Sequence, residues 1–402
     1  MKLLLLLLAL PMIGFGQNVN IPDANFKAYL VNNTAINTNG DNEIQVSEAN
    51  VFNGSIILWT YSEANGTSGL NITDLIGIEA FVSLTTLDCS WNQLTSLYVS
   101  ACTALTYLHC YDNQLTSLDV SSCTALTYFD CYGNQLTSLD VSSCTTLTGL
   151  DCFGNQLTNL NASGCTALTY LDCSWNQLTS LDVSGCTALT YLNFPGNNSL
   201  TSLDVSSCTA LITLSCDGNQ LTSLNVSACT ALTTLSCSGN QLTSLNVSAC
   251  TALTYLDCTF NALTSLNVKN GNNSNMSFLA YNNPNLSCIE VDNVAWSTSN
   301  WTNDIDSTAF FSLNCSGAGI SDINESNTLM LYPNPTNGDF TITGLELVGS
   351  VSSLSITDMN GKVVKVLDTK ATKFSMGSIK PGVYFLNIIS GYKQEALKIV
   401  KE

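Results

Sequence analysis

The chain has 402 residues, a formal net charge of −19 and only 10% charged residues. Its 11 basic residues are all lysine, and it holds one histidine, His109, and 18 cysteines. So little clustered positive charge excludes nucleic acid as a partner, because phosphate recognition needs Lys and Arg. The shortage of His and Arg also removes the groups on which most acid–base and anion-binding active sites rest.

Residues 1–16 read as a secretory signal peptide. Lys2 gives a basic start, Leu3 to Leu10 is unbroken apolar sequence, and Gly14 and Gly16 supply small residues ahead of Gln17. The apolar run is far shorter than the roughly 20 residues that span a bilayer, so no transmembrane segment is expected. An exported chain meets an oxidising environment, where cysteines pair.

Residues 17–83 read as an N-terminal cap. Pro22 to Asn32 predicts a short helix, with Asp23 near its start and Phe26, Tyr29 and Leu30 on one face. The following stretch, Asn37 to Glu48, resembles an EF-hand or dockerin-type calcium loop. That resemblance implies oxygen ligands from Asn37, Asn39, Asp41, the Glu43 backbone and Glu48. Asn37 stands where such loops start with Asp, and Asn42 stands where they carry Gly. A weakened calcium site and a purely structural turn are both open; no other cofactor is expected.

Self-similarity dominates residues 84–291. Asn92, Asn113, Asn134, Asn155, Asn176, Asn197, Asn219, Asn240, Asn261 and Asn283 recur every 21 or 22 residues. One unit reads Leu168-Thr-Tyr-Leu171-Asp-Cys173-Ser-Trp-Asn176-Gln-Leu178. Leu171 and Cys173 alternate with polar or aromatic neighbours, the period of a strand with one buried face. Each Asn marks a turn, and Gly133, Gly154, Gly196, Gly218 and Gly239 precede it, where a tight turn favours glycine. The second half of each unit, such as Leu181-Asp-Val183, predicts a further short extended segment rather than a helix. The pattern resembles bacterial leucine-rich repeats. That resemblance implies a mainly β solenoid of about ten 21–22-residue repeats, stacked into one continuous core.

Sixteen cysteines fall into two columns of the repeat, such as Cys173 and Cys186. Inter-rung disulfides, metal ligation and small buried apolar side chains all compete as explanations. Parallel stacked thiols fit disulfide geometry poorly and metal convergence poorly, so the last is preferred. Cys288 and Cys315 stand outside the columns, in a segment rich in aromatics, and read as a disulfide closing a C-terminal cap at 292–315.

Residues 316–328 read as a polar linker. Beyond them the composition changes: eight of the 11 lysines lie in 362–402. Residues 329–402 predict a small β-sandwich of short strands and turns, with Leu331-Tyr-Pro333-Asn-Pro335 early and Lys380-Pro381-Gly382-Val383-Tyr384 late. This stretch resembles the type A C-terminal sorting domain of the type IX secretion system of Bacteroidota. The resemblance implies outer-membrane export by that machinery and a secreted or cell-surface destination.

No nucleophile–base arrangement is assembled around His109, so no enzyme is expected. Binding is preferred. Outward strand positions of repeats two to six carry Tyr107, His109, Tyr111, Tyr128, Asp130, Tyr132, Asp151, Phe153, Tyr170, Asp172 and Tyr191. Trp91 and Trp175 lie at the strand edge. Exposed aromatics on a rigid sheet suit a protein or polysaccharide ligand. A passive spacer, and a glycan-active enzyme built on the carboxylates, are the alternatives.

Overall fold

The computed structural model describes residues 16–62, 66–315, 330–343, 351–371, 373–390 and 393–402. The expected signal peptide, apart from Gly16, and the expected linker therefore lie outside the described residues. The chain divides into two compact units between Ser316 and Gly317.

The first unit is a solenoid built on an 11-stranded parallel sheet of three-residue strands. It starts with Ser55–Ile57, passes through Thr86–Asp88, Tyr107–His109 and Tyr128–Asp130, and ends with Ser277–Leu279. The central residues stand in exact register: Leu87 pairs Leu108, Leu108 pairs Phe129, Phe129 pairs Leu150 and Leu150 pairs Leu171. All five are fully buried. A single rung has no hydrophobic inside; the column exists only because rungs stack. The second half of the coil also runs extended. It forms bona fide strands in part, as Ser138–Asp140 against Asn159–Asn161 and Ser244–Asn246 against Ser265–Asn267.

Two features differ from the sequence reading. The sheet begins inside the cap, because Ser55–Ile57 pairs with Thr86–Asp88 before the regular repeats start. At the other end the cap contains a helix, Val294–Trp301, and a strand, Phe310–Ser312, that continues the second sheet. Both ends thus give the terminal rungs a neighbour, which is what an open stack lacks. Trp301 packs on Phe278 with ring centres 4.5 Å apart, covering the last sheet strand. The predicted first helix is Ala24–Asn32, capped by Asp23, whose carboxylate accepts from the Asn25 and Phe26 amides.

The buried asparagines stitch each turn to the previous rung. Asn134 Nδ2 donates to Cys131 O in its own rung and to Cys110 O in the rung before, at 3.1 and 2.9 Å. Its Oδ1 accepts from Leu115 N, also in the rung before, at 3.0 Å. Asn113, Asn155, Asn176 and Asn261 repeat this pattern. Asn219 is the exception. The extra residue at Asn197-Asn198-Ser199 turns the Leu200 amide onto Asn197 O, leaving Asn219 Oδ1 buried without a partner.

The sixteen column cysteines are free thiols, all buried. Cys152 Sγ donates to Asp172 O at 3.4 Å and Cys165 Sγ to Val141 O at 3.2 Å. Burial pushes the thiols up, to about 12 for Cys165 and about 11 for Cys186 and Cys250. They are small apolar fillers with one weak donor. Cys288 and Cys315 are joined by a disulfide, with Cα atoms 5.8 Å apart.

The second unit packs a three-stranded antiparallel sheet and a four-stranded antiparallel sheet around one core. Phe340, Ile342 and Phe374 face it from the first sheet, and Leu354, Ile356, Leu386, Ile388 and Ile399 from the second.

The Asn ladder makes a direct stability prediction. Asn155→Ala strands the Leu136 amide inside the core as a buried orphan and takes one of two donors from the Cys131 carbonyl, which keeps Asn134 Nδ2. Chemical denaturation should show a loss of about 2 kcal/mol. The same change at the exposed neighbour Gln156 should leave stability unaltered.

Candidate ligand-binding surface

The outward faces of the sheet strands form columns, because every rung repeats the same positions. Neighbouring parallel strands lie about 4.8 Å apart, so aromatics in one column must stack or tilt. Tyr111 and Tyr132 stack with centres 4.5 Å apart and planes within 13°. Tyr170 and Tyr191 stack at 4.7 Å and 9°. His109 lies 5.6 Å from Tyr128, and its Nδ1 is 3.8 Å from Asp130 Oδ2. Gly149 interrupts the tyrosine column, and the Tyr128 ring leans over it; a Cβ there would sit 2.6 Å from two ring carbons. Tyr107 and Phe153 are the most open of the strand-face aromatics, 46% and 41% exposed.

Asp130, Asp151 and Asp172 run in register beside these rings. All three alternate with the inward Phe129, Leu150 and Leu171 and so stand on the outward side, but two of them are covered. Asp130 and Asp172 are buried, 8% and 9% exposed, because side chains from adjoining rungs close over them. Asp172 Oδ1 accepts from Ser174 N and Oγ at 2.9 and 2.5 Å, and its Oδ2 from Asn193 Nδ2 at 2.7 Å. Asp151 accepts from Phe153 N at 3.0 Å. Burial, with the like charges of Asp130 and Asp172 on either side, pushes the Asp151 carboxyl up to about 7 despite that bond. Burial and the same carboxylates also raise the phenols of Tyr128 and Tyr170. The result is an acidic floor between aromatic walls, short of solvent and open on one side.

Trp91 and Trp175 stand at the edge of this face, Trp91 against Tyr111. They occupy the turn immediately before the buried Asn, with left-handed φ of 61° and 53°. Phe260 sits at the equivalent place with φ 53°, and Asp112 with φ 50°. Sequence reasoning recognised the glycines of this position but missed Phe260. The signal was present: a bulky residue standing where five other repeats carry glycine.

The calcium-loop residues are brought together but are engaged with one another. Asn37 Oδ1 accepts from Gly40 N, and its Nδ2 donates to Val31 O and Asp41 O. Asp41 accepts from Glu43 N, Asn39 Nδ2 and Gln45 Nε2. Glu43 pairs with Lys27 at 2.7 Å. Glu48 is buried and accepts from Thr38 N and Oγ1, Asn39 N and Gln45 N, capping the helix Val46–Val51. Burial opposes its charge, yet these bonds from Gln45, Thr38 and Asn39 hold the carboxyl below its ordinary range. The side-chain oxygens of Asn37, Asn39, Asp41 and Glu48 thus accept bonds that hold the loop in a turn. Among the described residues no three His, Cys, Asp or Glu converge on a metal position.

Residues 330–402 match the secretion system C-terminal sorting domain, and residues 103–144 and 230–279 match leucine rich repeats. Among solved structures the chain is similar to the functional domain of InlJ from Listeria monocytogenes, which includes a cysteine ladder. The identity is 25%, over 96% of this chain and 98% of that one, with a TM-score of 0.51. A leucine-rich-repeat protein of Leptospira interrogans is similar at 20% identity over 54% of this chain and 63% of that one, TM-score 0.42. The internalin InlF of Listeria monocytogenes follows at 17%, over 69% and 98%, TM-score 0.39. No curated protein matches the chain. The sorting domain marks a type IX secreted, cell-surface chain, and no described helix is long and apolar enough to cross a membrane.

Asp151 gives a test of the site's electrostatics. Its folded pKa lies above the ordinary aspartate value of 3.8, so ionising it opposes folding. That penalty is full above about pH 7 and fades as pH falls toward 3.8. Asp151→Asn should therefore raise the denaturation midpoint at pH 8, with the gain shrinking steadily as pH is lowered to 4.

Proposed function

We propose that this chain, which carries leucine-rich repeats and a type IX secretion sorting domain, acts at the cell surface as a non-catalytic adhesion module. It grips a protein partner through the strand face of repeats two to six. One observation carries this reading: the Asp130–Asp151–Asp172 column lies desolvated between stacked tyrosines.

Stacked rings spend their faces on each other and present hydroxyls, edges and the outermost faces. Carboxylates in a poorly solvated site attract cations far more strongly than in water. A lysine or arginine side chain meets both demands. Its stem lies along the tyrosines, and its head reaches the carboxylates and the ring quadrupoles. A neutral sugar gives the buried carboxylates no countercharge, so a polysaccharide suits this face less well. A passive spacer is disfavoured by localisation. The core columns run the length of the solenoid, but the tyrosine column becomes Thr213 and Thr234 and the carboxylate column Ser215 and Ser236 before Tyr255 and Asp257 return. A spacer has no reason to vary its surface while keeping its interior.

A peptide array of Lys/Arg-rich, neutral and acidic sequences tests the reading. The wild-type chain should retain cationic peptides, and Tyr128→Ala/Tyr170→Ala should lower retention by about tenfold or more. Retention should also fall as pH drops through about 7, because Asp151 then takes up a proton. Silence across the array would leave the spacer as the account of the fold. Turnover of a chromogenic glycoside panel would contradict a non-catalytic module.

A further inference from the structure

The residue ahead of each ladder asparagine is left-handed throughout the solenoid, and glycine fills it at 133, 154, 196, 218 and 239. Trp91, Trp175 and Phe260 hold the same conformation with bulky rings, φ 61°, 53° and 53°. For a bulky L-residue this is a genuine outlier that stability does not favour. The rings do not recover the cost by burial; they are 41%, 64% and 55% exposed. Strain kept at an exposed position points to use.

Each ring meets a neighbour in the next rung. Trp91 meets Tyr111 edge-on at 5.9 Å, and Phe260 meets Tyr281 edge-on at 5.8 Å. Trp175 lies over the next turn, its ring 3.2 Å from where a Cβ of Gly196 would be. The spacing is even: four coils separate Trp91 from Trp175, and four more separate Trp175 from Phe260. At about 4.8 Å per rung the platforms stand roughly 19 Å apart. Exposed glutamines, Gln114, Gln135 and Gln156 among them, run along the same edge.

We propose that this turn edge is a second binding surface, for a linear neutral polysaccharide, with one sugar ring seated on each of Trp91, Trp175 and Phe260. The C–H face of a pyranose packs flat on an aromatic ring, and glutamine amides both donate to and accept from hydroxyls. Isolated, evenly spaced platforms suit a polymer that offers the same ring again and again, and three weak contacts on one chain reinforce each other. A protein partner would call for a continuous patch, and a net charge of −19 repels an acidic polymer. The proposal does not rest on the carboxylate column; Tyr111, which supports Trp91, is shared with that face.

The test is retention of the full chain on microcrystalline cellulose and chitin, and retardation in gels containing mixed-linkage β-glucan or mannan, with alginate as the charged control. At least one neutral polymer should retain the wild type, and alginate should not. The triple change Trp91→Gly, Trp175→Gly, Phe260→Gly should cut that retention about tenfold or more. Because glycine relieves the backbone, Tm should stay level or rise. Tyr128→Ala/Tyr170→Ala should leave polysaccharide retention unchanged, which separates this edge from the acidic face. No retention by wild type on any neutral polymer would overturn the proposal. So would equal retention by the triple glycine variant, or a lower Tm with retention intact, which would assign the rings to packing.

Discussion

The amide of the ladder asparagine governs this molecule. A three-residue strand cannot hold its own turn, and the turn that follows each strand carries buried carbonyls that water does not reach. One Asn side chain satisfies them in two rungs at once, giving its Nδ2 to carbonyls on both and its Oδ1 to the leucine amide behind. That geometry forces the preceding residue into the left-handed region. The turn in turn sets the direction of the strand, and so the alignment of every outward side chain. Where an inserted residue diverts the leucine amide, as at Leu200, the ladder keeps its position but loses one bond.

The cysteine columns follow from the same crowding. Strand position and second-half position both leave room for a side chain about the size of a thiol, with a carbonyl of a neighbouring rung within reach of Sγ. Burial holds these thiols neutral and inert. The one disulfide lies where stacking ends, between Cys288 and Cys315, and ties the closing strand to the solenoid. At the opposite end Glu48 caps the helix Val46–Val51.

The solenoid was readable from the sequence because each structural demand is stated about ten times. Leu171 alone says little; Leu87, Leu108, Leu150 and Leu171 at one spacing define a buried column. The sorting domain was readable because its motifs stand in order over a separate composition. The surface was less legible, since it depends on contacts between rungs that no single repeat encodes. Asp130 and Asp172 look exposed by strand alternation, yet side chains one rung away cover them. Tyr128 looks like any β-surface tyrosine until Gly149 lets it lie down. The strained aromatics were hidden for a different reason: a turn position was recognised by its glycines, and its exceptions passed as strand-edge residues. The Asn37–Glu48 loop was legible as a spacing only, which does not reveal that Asn37, Asp41 and Glu48 also bond within the loop.

A stiff interior with a variable exterior is the division of labour these observations describe. Ladder, thiol and leucine columns repeat without regard to what lies outside, which leaves the outward positions free to specialise rung by rung. Binding by such a face needs little rearrangement, provided the turns are as fixed as the Asn ladder requires. Amide hydrogen exchange measures this directly at Leu115, Leu136, Leu157 and Leu178, whose N–H groups donate to the next rung's asparagine. The account predicts that these turn amides exchange as slowly as the strand amides, opening only with the solenoid itself. Exchange at the rate of exposed turn amides would contradict it, since the ladder would then not be holding the surface in place.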